Sequence, residues 1–235
     1  MTATTPTQIQ QILLRYKQAV QALPLTQQAY AVILKAIREL YLAPGEAFLE
    51  REITAMLEMS RTPVHEALIR LEMAGWIKVI PRKGFTVEPI LADPIREISQ
   101  ITAVLDGLAA ALATEQAQHN DLSELSGLID RQETLMYAHD LHEYVAVDQE
   151  FHTKIVQIAA NQRLSSLMDS YSDQMYRARL YTIKERQLPT HSIQEHRAVI
   201  AAMRAGSGKA ADELMQAHRH HGSREIIAIL KQSQE

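Results

Sequence analysis

Apolar residues along most of the chain recur three and four positions apart, the repeat of a helix with one buried face. Ile9, Ile12, Leu13, Tyr16, Val20 and Leu23 form a first stripe between Thr7 and Leu23, with Gln and Lys between them. A helix this short does not hold alone in water, so it is expected to pack on the rest of the protein or on a partner chain. Pro24 breaks it. Val32, Ile33, Ala36, Ile37 and Leu40 predict a second helix over Thr26–Leu42, with Thr26 as its N-cap and Pro44-Gly45 as the turn that stops it. Ile53, Met56 and Leu57 predict a short third helix, Leu49–Leu57. Glu58-Met59 leads tightly into a fourth, Ser60–Leu71, whose apolar side is Val64, Ala67, Leu68 and Leu71. Two short helices joined in this way make a helix-turn-helix.

The helical repeat lapses once. Ile77–Ile80 and Phe85–Val87 read as two strands, and Pro81-Arg82-Lys83-Gly84 reads as a turn with two positive charges at its tip, so a hairpin follows the helix-turn-helix as a wing. Gly75 is a helix stop and Trp76 a packing anchor. Met56, Met59 and Met73 read as core filler. After Glu88-Pro89 the helical pattern returns, over Pro94–His119, Leu122–His139, Leu141–Ala159, Leu164–Glu185, Ile193–Ala205 and Lys209–Gln232. The expected fold is mostly α: an N-terminal extension (1–23), a winged helix-turn-helix (24–90) and an all-α helical bundle (91–235).

The fourth helix carries chemistry on its polar side. Arg61 and His65 lie four apart and share a face. Ser60 and Thr62 are candidate N-caps, and Pro63 is tolerated in a first turn. A helix that opens with Ser, Arg and Thr gathers donors at its positive end, which is what a phosphate or a base edge needs.

Composition narrows the setting. An apolar share of 46% is enough for real cores, and eight glycines with three phenylalanines suit a helical chain. With no cysteine, disulfides, zinc ribbons and thiol catalysis are excluded, and a reducing cytoplasm is the expected location. No apolar run is long enough for a membrane span, and the polar start is unlike a signal peptide. Basic and acidic residues balance between Pro24 and Ile90, and the acidic surplus behind the net charge of −4 lies beyond Ile90. That charge excludes a protein that coats nucleic acid everywhere but allows a local reader.

In the helical region Asp148 and His152 are four apart on one predicted helix, a common half of a divalent-metal site. His191, His196, His218, His220 and His221 are candidates for the other half, and periodicity does not choose among them. There is no Walker loop, G-x-G-x-x-G, H-E-x-x-H or G-x-S-x-G.

Pro44-Gly45, Leu49-Glu50-Arg51-Glu52, Ser60-Arg61-Thr62-Pro63-Val64, Glu66-Ala67-Leu68, Leu71, Gly75 and Pro81–Val87 closely resemble the winged-helix domain of GntR-family transcription regulators. Asp148-x-x-x-His152, the histidine of Glu195-His196-Arg197 and His218 resemble the FCD type of effector domain in the FadR subfamily. The resemblance implies that Arg51, Ser60, Arg61, Thr62, Lys83 and Gly84 contact operator DNA. His65 and Arg82 belong to the same surface. It also implies that Asp148, His152, His196 and His218 hold a divalent metal (zinc first, nickel or manganese as alternatives) and that a small carboxylate effector binds beside it. A homodimer on a two-fold operator is implied as well, and a repressor rather than an activator.

Three departures stand out: His65 where the family has arginine, Glu58 where it has glycine, and Thr102 where an effector-binding arginine often stands. Arg177 and Arg179 are candidate replacements for that arginine. The expected function is therefore an effector-controlled, DNA-binding transcription regulator rather than an enzyme. A metal-free regulator of a larger ligand and a metal-dependent helical hydrolase are the competing readings.

Overall fold

The computed structural model describes residues 5–233. By internal contacts the chain divides into two compact units, Met1–Ile90 and Leu91–Glu235. In the first, helix α1 (Pro6–Ala19) opens with a capping box, in which the Gln8 amide donates to the Thr5 hydroxyl and the Thr5 amide donates to Gln8 Oε1. Its Ile9 and Leu13 are buried in the core of this unit. Helix α2 (Leu25–Arg38) buries Val32, Ile33, Ala36 and Ile37. Thr26 does not cap it, as the sequence had suggested. Pro24 holds the N-cap position, and the Thr26 hydroxyl donates instead to Glu66 Oε2 at 2.8 Å.

Helix α3 (Glu50–Leu57) and helix α4 (Arg61–Met73) form the helix-turn-helix. Ser60 occupies the N-cap of α4 in extended backbone, without a side-chain cap bond. In the turn, Glu58 stands in the left-handed region (φ +50°, ψ +48°), which costs a residue with a Cβ about 1–2 kcal/mol. The Lys17 ammonium donates to the carbonyls of Leu57 (2.8 Å) and Glu58 (3.2 Å) at the end of α3, where helix carbonyls lack partners within the helix. Met56 and Met59 pack against the core. Met73, expected as filler, is 84% exposed, because it lies at the last turn of α4 and off the face that buries Leu71.

The wing strands are β2 (Ile77–Ile80) and β3 (Gly84–Val87). A two-residue strand, β1 (Ala47–Phe48), joins them antiparallel in the order β1-β3-β2. Phe48 stands opposite Phe85 and their rings stack at 5.8 Å. β1 was invisible in the sequence, since two residues show no alternation. Gly84 begins β3 at φ +91°, and a Cβ there would lie 2.0 Å from the Phe48 carbonyl oxygen. Gly84→Ala is therefore expected to destabilise this unit by at least about 2 kcal/mol, read from the urea midpoint of the full chain; an unchanged midpoint would show that the β1–β3 contact gives way cheaply.

The second unit contains α5 (Ala92–Gln116), α6 (His119–Tyr137), α7 (Leu141–Ile158), α8 (Gln162–Thr182), α9 (Thr190–Arg204) and α10 (Gly208–Gln232), with a 3-10 turn at Ile183–Glu185. α5 packs along α10, and it also meets α7 and α8. Beside Gly107 on α5 lie the Asp212 and Gln216 side chains of α10. α6 packs on α7 and α9, and α9 on α10; Phe151 on α7 is fully buried, with its ring 4.2 Å from that of His196 on α9. Among the described residues no helix is long and apolar enough to cross a membrane.

Candidate nucleic-acid interface and metal centre

α4 turns Val64, Ala67, Leu68 and Leu71 into the core, and this leaves Arg61, Thr62 and His65 on the solvent side. Arg51 on α3, Ser60 at the N-cap, and Arg82 and Lys83 at the wing turn are exposed too, while Gly84 is half-buried against Phe48. Arg51, Arg61, His65 and Arg82 line one open groove between α3, α4 and the wing. Sequence reasoning missed Glu50 as a member of this surface. Its carboxylate accepts from Arg61 Nε at 2.7 Å and lies 3.1 Å from His65 Nδ1. Burial alone raises the Glu50 pKa, but the bonds from Arg61 and His65 outweigh it and hold the carboxyl below its ordinary value. No sequence signal joins these residues, which lie 11 and 15 positions apart across a turn.

The second unit brings four sequence-predicted residues together. α7 supplies Asp148 and His152 one turn apart, α9 supplies His196 and α10 supplies His218, all of them buried. His196 Nε2 lies 3.1 Å from His218 Nε2, which lies 3.3 Å from His152 Nε2. Asp148 Oδ1 lies 3.7 Å from His196 Nε2 and 3.9 Å from His152 Nε2. Of the other histidines the sequence offered, His191 and His221 stay at the rim of a cavity, and His220 joins neither group.

The outer nitrogens of His196 and His218 meet polar partners, and that of His152 meets none among the described residues. His196 Nδ1 lies 3.0 Å from Gln132 Oε1. His218 Nδ1 donates to Glu195 Oε2 at 2.9 Å, and His221 Nδ1 donates to the other Glu195 oxygen. Burial pushes Glu195 up, yet the bonds from His218 and His221 prevail and keep its carboxyl below the usual range, so it accepts. Burial, reinforced by charged neighbours, holds His152 and His196 well below the ordinary imidazole value, so both are neutral. The inner nitrogens of His152, His196 and His218 face one another, all within 4.8 Å. Two donors about 2.0 Å from an ion would stand roughly 2.8 Å apart at octahedral angles and roughly 3.3 Å apart at tetrahedral ones, close to the imidazole spacings here. The three imidazoles fit a divalent metal, and Asp148 lies beyond the spacing that they share.

A cavity of about 70 Å³ reaches this cluster at Asp148 and His218. Tyr144, Arg179, Arg186 and Arg219 also line it. Arg186 pairs with Glu225, and Arg219 donates to Asp106 at 2.7 Å. Arg179 donates to Gln149, and its Nε lies 3.2 Å from Asp148 Oδ2, near enough for attraction but out of line for a hydrogen bond. Burial pushes the Arg179 pKa down to about 10, against the pull of Asp148. Its buried Nη1 has no hydrogen-bond partner among the described residues. The other two predicted effector residues lie elsewhere. Thr102 is buried, with its hydroxyl 3.4 Å from the Ser99 carbonyl, and neither Thr102 nor Arg177 lines the cavity.

A winged helix-turn-helix with an exposed cationic face, on one chain with an all-helical unit, defines a DNA-binding transcription regulator. Comparison with known proteins agrees. Residues 25–87 match the model of the bacterial regulatory proteins of the gntR family, and residues 97–221 match the FCD domain. The chain is 36% identical over 135 residues to an HTH-type transcriptional regulator of Agrobacterium vitis, covering 56% of this chain and 79% of that one. It is 24% identical over 210 residues to the transcriptional repressor RspR of Escherichia coli, covering 89% and 92%. The solved structure of E. coli McbR/YncC superposes with a TM-score of 0.77 at 25% identity, over 91% of this chain and all of that one. The chain belongs to the GntR family, with an FCD domain as its second unit; it is a transcription regulator of operator DNA, not an enzyme.

Proposed function

We propose that this regulator is a homodimeric repressor of the FadR subfamily whose operator affinity responds to a small carboxylate held beside a divalent metal, zinc in the first place. Asp148, His152, His196 and His218 hold the ion, which supplies a Lewis-acidic anchor for a carboxylate oxygen. The reading rests on the three buried imidazoles of His152, His196 and His218, whose ring nitrogens lie within 4.8 Å of one another, with Asp148 Oδ1 3.7 and 3.9 Å from two of them. Arg179 offers the free Nη1 as a second anchor from the cavity wall. This departs from the sequence reading, in which Thr102 and Arg177 shared the role. Arg51, Ser60, Arg61, Thr62, His65, Arg82 and Lys83 face the operator, and Gly84 keeps the wing turn close to β1. Effector binding favours one arrangement of the dimer over another and so shifts operator affinity.

The test is a thermal-shift screen of small organic acids on the full chain, with zinc and after chelation, followed by a band shift with each acid that scores. A ligand that binds only the folded protein raises Tm. The expected result is a rise that needs zinc, and an acid that releases the DNA. Stabilisation by long acyl ligands that persists after chelation would replace this reading with the metal-free one.

The dimer rests on α5. Ile101, Val104 and Leu108 repeat at helical spacing, and each is 43–55% exposed, an unpartnered apolar stripe that suits a second copy of the chain. Val104→Asp is expected to turn the dimer into a monomer by light scattering at micromolar concentration; a dimer of unchanged mass would place the seam elsewhere.

A further inference from the structure

We propose that Glu50 locks His65 in one tautomer, so that this position of the recognition helix reads a base that carries an exocyclic amine, cytosine or adenine, beside the guanine offered to Arg61. The inference rests on the proposed DNA-reading role of α4 and goes beyond it to a base preference.

It begins with an acceptor that cannot donate. The Glu50 carboxylate is ionised and has two oxygens, one of which takes Arg61 Nε at 2.7 Å while the other lies 3.1 Å from His65 Nδ1. A carboxylate only accepts, so the proton of a neutral His65 sits on Nδ1, and the lone pair sits on Nε2. The same grip orients Arg61, because Nε is spent on Glu50 and the two terminal amines remain as a parallel fork. Among the described residues neither that fork nor His65 Nε2 has a protein partner, and the two side chains are 81% and 53% exposed. The charged groups of the groove are Glu50 and Arg51 on α3, Glu58 in the turn, Arg61 on α4 and Arg82 at the wing, and of these Glu50 alone bonds the imidazole.

A fork of two donors matches the two acceptors of guanine in the major groove, whereas a lone acceptor matches the amine of cytosine or adenine. Arginine at position 65 would present donors and choose the opposite bases. The Glu50–His65 bond therefore inverts the donor pattern of this position without changing the backbone. Glu50 is a positioning residue here, and His65 is the reader.

The experiment is selection from random duplexes by the full-length protein at about pH 8, where an imidazole is neutral. Individual base substitutions in the selected site are then tested by competition band shift. Wild type is expected to prefer cytosine or adenine over guanine or thymine at one position of each half-site, by about five- to tenfold for a single contact. His65→Arg should move that position to guanine. Glu50→Gln, checked for folding by circular dichroism, should lose the amine preference at this position whatever its overall affinity, since its amide lets either tautomer form. A preference for guanine or thymine in wild type, or an undiminished amine preference in Glu50→Gln, would overturn the inference. If Arg61→Ala left binding unchanged, the assignment of α4 to DNA would fail first, and that outcome is separate from the other two.

Discussion

Arg61→Ala weakens operator binding by roughly five- to 150-fold for each recognition helix engaged, the range that a lost two-pronged contact of about 1–3 kcal/mol implies. The upper part of the range is expected. Arg61 is 81% exposed, so its removal leaves the core intact. It does leave Glu50 with one cationic partner fewer, and that carboxylate then faces a polyanion. A band shift against the selected operator measures the loss, with Arg224→Ala in the second unit as the control. Discrimination at the guanine should relax together with affinity, because Arg61 is assigned to a base rather than to a phosphate. Affinity within twofold of wild type would remove α4 from the DNA-reading role.

His196→Ala lowers bound metal from one equivalent per chain to less than about a tenth, because it deletes a ligand from the centre of the proposed site. Elemental analysis of untagged protein soaked with zinc and then desalted gives the number. Wild type should also gain stability with zinc, about 2.7 kcal/mol when free metal is a hundred times Kd, and the variant should gain none. Alanine brings its own loss here: the ring of His196 packs 4.2 Å from that of Phe151 and bonds Gln132, and deleting it costs about 2–4 kcal/mol without any metal. His196→Gln separates the two effects, because it retains most of the volume and polarity while weakening the ligand. A full equivalent of metal in His196→Ala would end the four-ligand assignment.

The helices were legible because each buries one face, and a stripe such as Val32-Ile33-Ala36-Ile37 announces the same core from the sequence alone. The left-handed turn could be stated as a consequence of Glu58 standing at a glycine position, and its φ is positive. Ends and short pairings were less legible. The cap of α2 is set by backbone geometry at Pro24, and Thr26 was drawn off by Glu66, 40 residues away. The spacing of Asp148 and His152 showed half of a cluster, and the family resemblance named His196 and His218 for the rest. Their outer partners, Gln132 and Glu195, had no local signature, because each is brought in by helix packing rather than by spacing. The place of Thr102 was hidden for the same reason: the face of α5 that enters the core is decided by its neighbours.

The ammonium of Lys17 reaches from the leading helix to the last carbonyls before the bend of the DNA-reading motif. Trimming the gene so that translation starts near Pro24, a tempting way to express the reader by itself, would strip Ile9 and Leu13 from the interior and leave those oxygens to solvent. Band shifts on so shortened a chain would then report a loosened bend, and the first 23 residues belong in every expression vector meant to measure operator affinity.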